Sequence, residues 1–278
     1  MSPPSRILLD AGEAKRAPYR LGWDDLLQGA KLRELWGAMA WFDVRQRYTR
    51  SVIGPFWATL SLALYTVAMA VIFGALFKAH LPQLLTYLAI GMALWSYCLT
   101  IILDGTNVFV ASTAAIKQMP APLCIHAYRL VWRTLILLAH NAIVPAVVLL
   151  WAHPWSALAG LPISLFGLCL LAINGVAVVL MLGTLGARFR DLQQLLMNTT
   201  SLLFFVTPIF WRADQLGDRI WIAWVNPIYH FIEIIRAPLL GEQVASLTWI
   251  FVLVATVLNL LLGFAVYSRF RVRIPYWI

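Results

Sequence analysis

The stretch "RYTRSVIGPFWATLS" (residues 47–61) passes from a basic polar segment into an apolar run. Arg45, Arg47 and Arg50 precede it or open it, the last standing four residues before Gly54-Pro55, and the chain is then apolar to Phe77. A run of about 20 residues poor in charge is long enough to cross a bilayer as a helix. Arginines on its near side hold the N-terminal end in the cytoplasm. Proline suits a first helical turn, where its missing N–H is not needed. The stretch therefore reads as the start of a first membrane span with cytoplasmic chain ahead of it.

Working outward, charge-poor runs cover about 53–77, 84–104, 128–151, 158–185, 193–211 and 247–267. Of the 278 residues 62% are hydrophobic and only 12% charged, against about 25% charged in a soluble domain. Mean hydropathy is +0.79. The fold class expected is an all-α integral membrane protein with six transmembrane helices. Seventeen of the 21 lysines and arginines fall on one side of that arrangement, which places both ends in the cytoplasm. The net charge of +9 is thus topology, and no nucleic-acid partner is expected. Thirteen tryptophans fit belts at headgroup depth. The first 50 residues hold no apolar signal-peptide run, so the N-terminus is expected to stay inside.

Three segments are expected. Residues 1–22, with three prolines and mixed charge, form a flexible cytoplasmic tail. Residues 23–46 form an amphipathic helix lying in the membrane interface, with Asp24 and Asp25 at its start, where the helix dipole favours anions. Its apolar stripe is Leu27, Ala30, Leu35, Ala38, Met39 and Phe42. Residues 47–278 form the six-span domain. Arg45, Arg47 and Arg50 have two readings: topology determinants facing membrane lipids, or forks of donors for an anionic lipid headgroup.

The segment "IWIAWVNPIYHFIEIIRAPLLG" (220–241) is too apolar for a solvated loop and is broken at Pro227. Two short re-entrant helices are expected there, between spans five and six. They form an outer gate with Pro208, Trp224, Pro227, Ile228 and Tyr229. Glu233 and Arg236, three apart, read as a solvated pair. His140-Asn141 are polar at membrane depth and are expected to hydrogen-bond across helices.

Catalytic chemistry finds no support. There is no G-x-x-x-x-G-K-[ST] and no Gly-Lys pair, so no phosphate cradle of that type. The three cysteines and five histidines show no ligand spacing, so neither a catalytic site nor a metal site is expected. Within the spans the ionisable residues are few, chiefly Asp104 at an edge and Arg133. A proton- or ion-coupled transporter usually keeps such groups at depth, so any transport draws its energy elsewhere.

Four stretches in order carry a family resemblance: "RYTRSVIGPFW" (47–57), "RFRDLQQLL" (188–196), "FFVTPIFW" (204–211) and "WVNPIYHFIEIIRAPLLG" (224–241). Over roughly residues 40–270 the chain resembles the transmembrane subunit of ABC-2 type exporters, in the branch that exports O-antigen, capsule or teichoic acid. The resemblance implies a homodimer with two soluble ATPase subunits, which bind ATP and Mg; this chain itself holds no cofactor. It implies a multi-pass protein of the bacterial inner membrane whose substrate is a lipid-linked glycan. It places an ATPase-coupling helix near residues 112–123, with Ser112, Ile116, Lys117, Gln118 and Met119 as contact residues. It also places the substrate path along spans one and five, favouring Tyr65, Phe204 and Phe205, aromatics able to stack on sugar faces. Two other readings stay open: an ABC-2 exporter of a small hydrophobic drug or lipid, and a membrane-embedded acyl- or glycosyltransferase.

Overall fold

A chain in lipid must pair its backbone polar groups internally, and a helix does so within one segment. The computed structural model of this protein follows that rule. It describes residues 18–49, 51–54, 56–78, 80–152 and 154–278. The tail over 1–17, together with Arg50 and Pro55 of the opening stretch, lies outside the described residues. The described residues contain no strand.

In chain order the helices are α1 (Pro18–Lys31), α2 (Arg33–Arg47), α3 (Phe56–Phe77), α4 (Leu81–Thr106), α5 (Val108–Ala111), α6 (Thr113–Gln118) and α7 (Ile125–Asn141). Then follow α8 (Ile143–Ala152), α9 (Pro154–Arg188), α10 (Leu192–Val206), α11 (Trp221–Trp224), α12 (Pro227–Leu239), α13 (Ser246–Phe270) and α14 (Ile274–Trp277). Among the described residues five helical segments are long and apolar enough to cross a bilayer: Phe56–Phe77, Leu81–Thr106, Ile125–Ala152, Pro154–Arg188 and Ser246–Trp277. The third is α7 and α8 run together through a turn at Ala142. Pro145 has no N–H to return to Asn141, which weakens the helix there.

Several boundaries differ from expectation. The run 193–211 does not make one helix: α10 stops at Val206. Thr207 is extended (φ −81°, ψ 130°) because Pro208 follows it and crowds the helical region. At 15 residues, α10 spans about 22 Å, short of the ~30 Å hydrocarbon core. The single helix expected over 23–46 is two, α1 and α2, parted at Leu32 (φ −84°, ψ 38°). Described helix begins at Pro18, so residues 18–22 are not tail and Asp24-Asp25 are not at a helix start. The stripe residues Leu27, Ala30, Leu35, Ala38 and Phe42 are exposed. The faces packed on protein carry Gly22, Asp25 and Gly29 in α1, and Ala40 and Val44 in α2. Asp43 fixes α2 to α7 through a two-pronged ion pair with Arg129, whose Nε lies 2.6 Å from Oδ2.

The 35-residue helix α9 is the spine, packed on α4, α12 and α13. Small residues let backbones close on it. A Cβ on Gly160 would stand 1.9 Å from the Pro238 carbonyl oxygen, and one on Gly186 2.0 Å from that of Thr106. Deeper in, Asn174 of α9 donates to Thr256 Oγ1 (2.8 Å) and accepts from Asn259 Nδ2 (2.9 Å) of α13. Asn141 reaches Ser96 across to α4 at 3.3 Å, while the His140 ring stays on its own helix, 2.8 Å from the Ile136 oxygen. In contrast, α3 and α10 lie on the outside, and α10 buries only Thr200.

Candidate functional site

At one end of the bundle the broken chain after α10 meets α4 and α12. Thr207 and Pro208 leave the helical ladder, so their polar groups need other partners. Asn226 supplies one: its Nδ2 donates to Thr207 Oγ1 (2.7 Å), while its Oδ1 accepts from the Ile228 amide (3.0 Å) and caps α12. Arg236 supplies another. Its Nη1 donates to the Pro208 carbonyl at 2.8 Å, and its Nη2 to Glu233 at 2.6 Å. The guanidinium carbon stands 3.6 Å from the ring centroid of Tyr87, a cation–π contact. The Tyr87 hydroxyl lies 3.2 Å from the Pro208 oxygen and 3.3 Å from that of Trp211, so its proton is shared between them.

Arg236 is 0% exposed, which corrects the reading of Glu233 and Arg236 as a solvated pair. The reason is the freed carbonyl of Pro208, 28 residues upstream in the broken segment, which needs a strong donor. Arg236 and Tyr87 were therefore the residues of this wall hidden from sequence; the only sign was a lone cation in an apolar, proline-led helix. His230 closes the same region. Its Nε2 donates to the Trp224 carbonyl (2.8 Å), so Nδ1 accepts from Thr248 (3.2 Å). Burial pushes its pKa below the ordinary imidazole value, against the pull of the Trp224 hydrogen bond.

The expected gate residues separate into two groups. Pro208 and Tyr229 are buried in this wall, Ile228 is half-buried, and Trp224 and Pro227 are exposed. Trp221 and Val225 are exposed beside Trp224.

The expected path residues Tyr65 and Phe205 are exposed, at 62% and 65%, and Phe204 is partly covered by Trp95, 5.5 Å between ring centroids. On α10 the exposed residues Gln194, Asn198, Ser201 and Phe205 recur at helical spacing. They form a mostly polar stripe opposite buried Thr200. Exposed Ser61 and Tyr65 sit one turn apart on α3. Trp95 and Tyr97 are buried in the core.

At the opposite end, the expected coupling stretch forms the short helix α6. Ile116 turns inward onto the core, Lys117 donates to the backbone oxygen of Ile278 (2.9 Å), Ser112 is half-buried, and Gln118 and Met119 are exposed. Arg45 and Arg47 are exposed at the end of α2. Gly54 takes φ +61°, with its amide on Ser51 Oγ at 3.1 Å, and so makes the turn into α3 that glycine favours. A cavity of about 270 Å³ lined by Asp43, Asp104, His126, Arg129 and Arg133 lies beside α6. Arg133 pairs with Asp104 at 2.7 Å and Arg129 with Asp43, so its charges balance. Among the described residues no cluster of three or more potential metal ligands occurs.

A sequence profile of ABC-2 type transporters matches residues 34–240. The chain belongs to that family. Two curated proteins, both named O-antigen export system permease protein RfbA and both from Klebsiella pneumoniae, are similar over most of its length. One is 23% identical over 239 residues, covering 83% of this chain and 90% of its own. The other is 23% identical over 202 residues, covering 68% and 74%. This ABC-2 permease is accordingly a multi-pass membrane subunit of a transporter, as the four motifs imply, and not a membrane-embedded transferase.

The wall around the Pro208 carbonyl yields a quantitative expectation. Replacing Arg236 by Ala leaves Glu233 without its ion-pair partner and the Pro208 carbonyl with only the Tyr87 hydroxyl at 3.2 Å, and is expected to cost about 3–5 kcal/mol. Tyr87→Leu is expected to cost about 1–2 kcal/mol. The double variant is expected to lose less than the sum, because each single change already removes the cation–π contact between the two residues. Thermal unfolding of the purified variants in detergent checks the order and the shortfall.

Proposed function

We propose that this permease is the membrane-spanning half of an ATP-driven exporter that moves a lipid-linked polysaccharide outward across a bacterial inner membrane. It works as a homodimer with two soluble ATPase subunits. The observation that carries the reading is the polar stripe on α10. Ser201 donates to the Met197 carbonyl (2.9 Å) and Gln194 to Asn198 (3.4 Å), but the remaining amide donors and acceptors of Gln194 and Asn198 would be left without partners if they faced lipid. Facing the same stripe of a second copy, with Ser61 and Tyr65 of α3 nearby, they line a wet path suited to a hydroxyl-rich polymer. Phe205 and Tyr65 add rings on which sugar faces stack. A path for a small hydrophobe would be lined by apolar side chains, so the stripe favours the glycan over the drug or lipid. The relatives named for O-antigen export point the same way.

In this reading α10 and the non-helical stretch 207–211 together complete a sixth crossing, and both chain ends face the cytoplasm. The ATPase docks on α6 through exposed Gln118 and Met119, and Arg45 and Arg47 face the anionic headgroups at the cytoplasmic mouth. The chain alone is expected to show no ATP hydrolysis above background, since it has no phosphate-binding loop. Hydrolysis is expected to appear when a soluble ATPase subunit is co-expressed, and a cross-linker at Gln118 should capture that subunit. Robust hydrolysis by the chain alone, or capture of lipid only, contradicts the two-subunit arrangement.

At the outer mouth the moving rim is the run 213–225, exposed over much of its length but anchored by buried Ala223, and hinged at Asn226-Pro227 on the wall held by Arg236. Cysteines at Trp224 of both copies, oxidised to a disulfide in a Cys169→Ala background, should stop export, and reduction should restore it. Unchanged export by the fully cross-linked dimer would remove the rim from the path.

A further inference from the structure

The cytoplasmic end is tied together by one buried carboxylate. Asp25 lies within α1 and is 4% exposed. Its Oδ1 accepts from the Leu123 amide (3.3 Å) and the Arg271 guanidinium (2.7 Å). Its Oδ2 accepts from the Cys124 amide (3.1 Å) and the Tyr267 hydroxyl. Four donors fill the roughly four lone-pair sites of a carboxylate. They come from two places far apart in the chain: the amides that lead into α7, just after α6, and the far end of α13.

The surroundings reinforce this junction. The Cys124 thiol donates to the Asp25 backbone oxygen (3.1 Å), and the Tyr128 hydroxyl to that of Leu26 (3.2 Å). The helix can approach so closely because Gly22 and Gly29 carry no side chain. A Cβ at Gly22 would stand 2.0 Å from Ser268 Oγ, and one at Gly29 2.1 Å from Cys124 Sγ. On its other side α6 leans on the C-terminal turn through Lys117 and Ile278, and Arg190 donates to the Trp277 carbonyl at 3.2 Å. Yet α6 itself has six residues and buries none of them. So short a helix has little stability of its own, and a push on it would be lost in loop flexure unless the chain on either side were fixed.

We propose that Asp25 is a positioning residue for energy coupling: it clamps the loop that carries α6 to the end of α13, so that displacement of α6 moves α7 and α13 as one body. This rests on the reading that a soluble ATPase docks on α6. The identity of the residue matters. Asparagine has the same shape, but one oxygen becomes an NH₂ that faces two donors whichever way it is turned. Asp25→Asn therefore opens the clamp without emptying the space.

The first test uses the chain alone. Spin labels are placed at Arg20 and Gln118, both exposed, with Cys169→Ala. Cys98 and Cys124 are buried, and burial, with Asp25 beside it, raises the Cys124 pKa and keeps that thiol protonated and unreactive. A narrow distance distribution is expected, and a broad one for Asp25→Asn at unchanged helical content. An unbroadened distribution overturns the clamp. The second test uses the complex with its ATPase in proteoliposomes. Per folded complex, Asp25→Asn is expected to keep ATP hydrolysis within about twofold while export per ATP falls about tenfold, with Arg271→Lys between. Unchanged export per ATP, or export and hydrolysis lost only in proportion to folded complex, makes Asp25 merely structural. If the unmodified complex hydrolyses no ATP, the docking reading fails instead, and the distance measurement still decides the clamp.

Discussion

A backbone N–H or C=O at membrane depth must find its partner within the protein, and the organisation of this permease follows from that constraint. It requires helices throughout, and it dictates what happens where a helix breaks. After α10 the chain turns extended at Thr207 and frees the Pro208 carbonyl. A guanidinium and a phenol are brought to it from α12 and α4. Burying Arg236 is tolerable because its charge is met by Glu233 and the Tyr87 ring, and its donors are spent on an oxygen that would otherwise be unpaired. Asn226 does the same for the start of α12.

The same constraint explains which parts are firm and which are loosely held. With no hydrophobic force between helices in lipid, firmness comes from close approach and interhelical hydrogen bonds. Both concentrate on α9, where Gly160 and Gly186 touch neighbouring backbone and Asn174 is bonded to α13. By comparison α3 and α10 each present one face to this scaffold and leave the other bare. The bare faces carry Ser61, Tyr65, Gln194, Asn198 and Ser201. A scaffold with two lightly held, polar-faced helices suits the proposed path completed by a second copy.

Much of this was legible in the chain itself. Charge-poor runs marked the long helices because lipid tolerates little else. The four motifs indicated the ABC-2 family correctly. What stayed hidden depends on partners distant in sequence. Periodicity gives the apolar stripe of 23–46, but not that α1 turns Gly22 toward α13, Gly29 toward α7, and Asp25 onto Arg271, 246 residues away. Spacing puts Glu233 beside Arg236, but nothing local shows that Pro208 needs a donor. The break of α10 at Val206 was readable from Thr207-Pro208, since the residue before proline avoids the helical region; apolarity alone carried the run on to 211.

The central claim is that the polar stripe of α10 faces water in a path and not lipid. The most direct measurement places a cysteine at Asn198, in a Cys169→Ala background, and compares a hydrophilic thiol reagent with a lipid-soluble one on sealed membranes. The account predicts that the hydrophilic reagent reaches Asn198→Cys, that transported glycan slows the reaction, and that cysteine at Leu195 on a flanking face reacts poorly. Modification of Asn198→Cys by the lipid-soluble reagent alone, unaffected by glycan, would put the stripe against lipid and contradict the account.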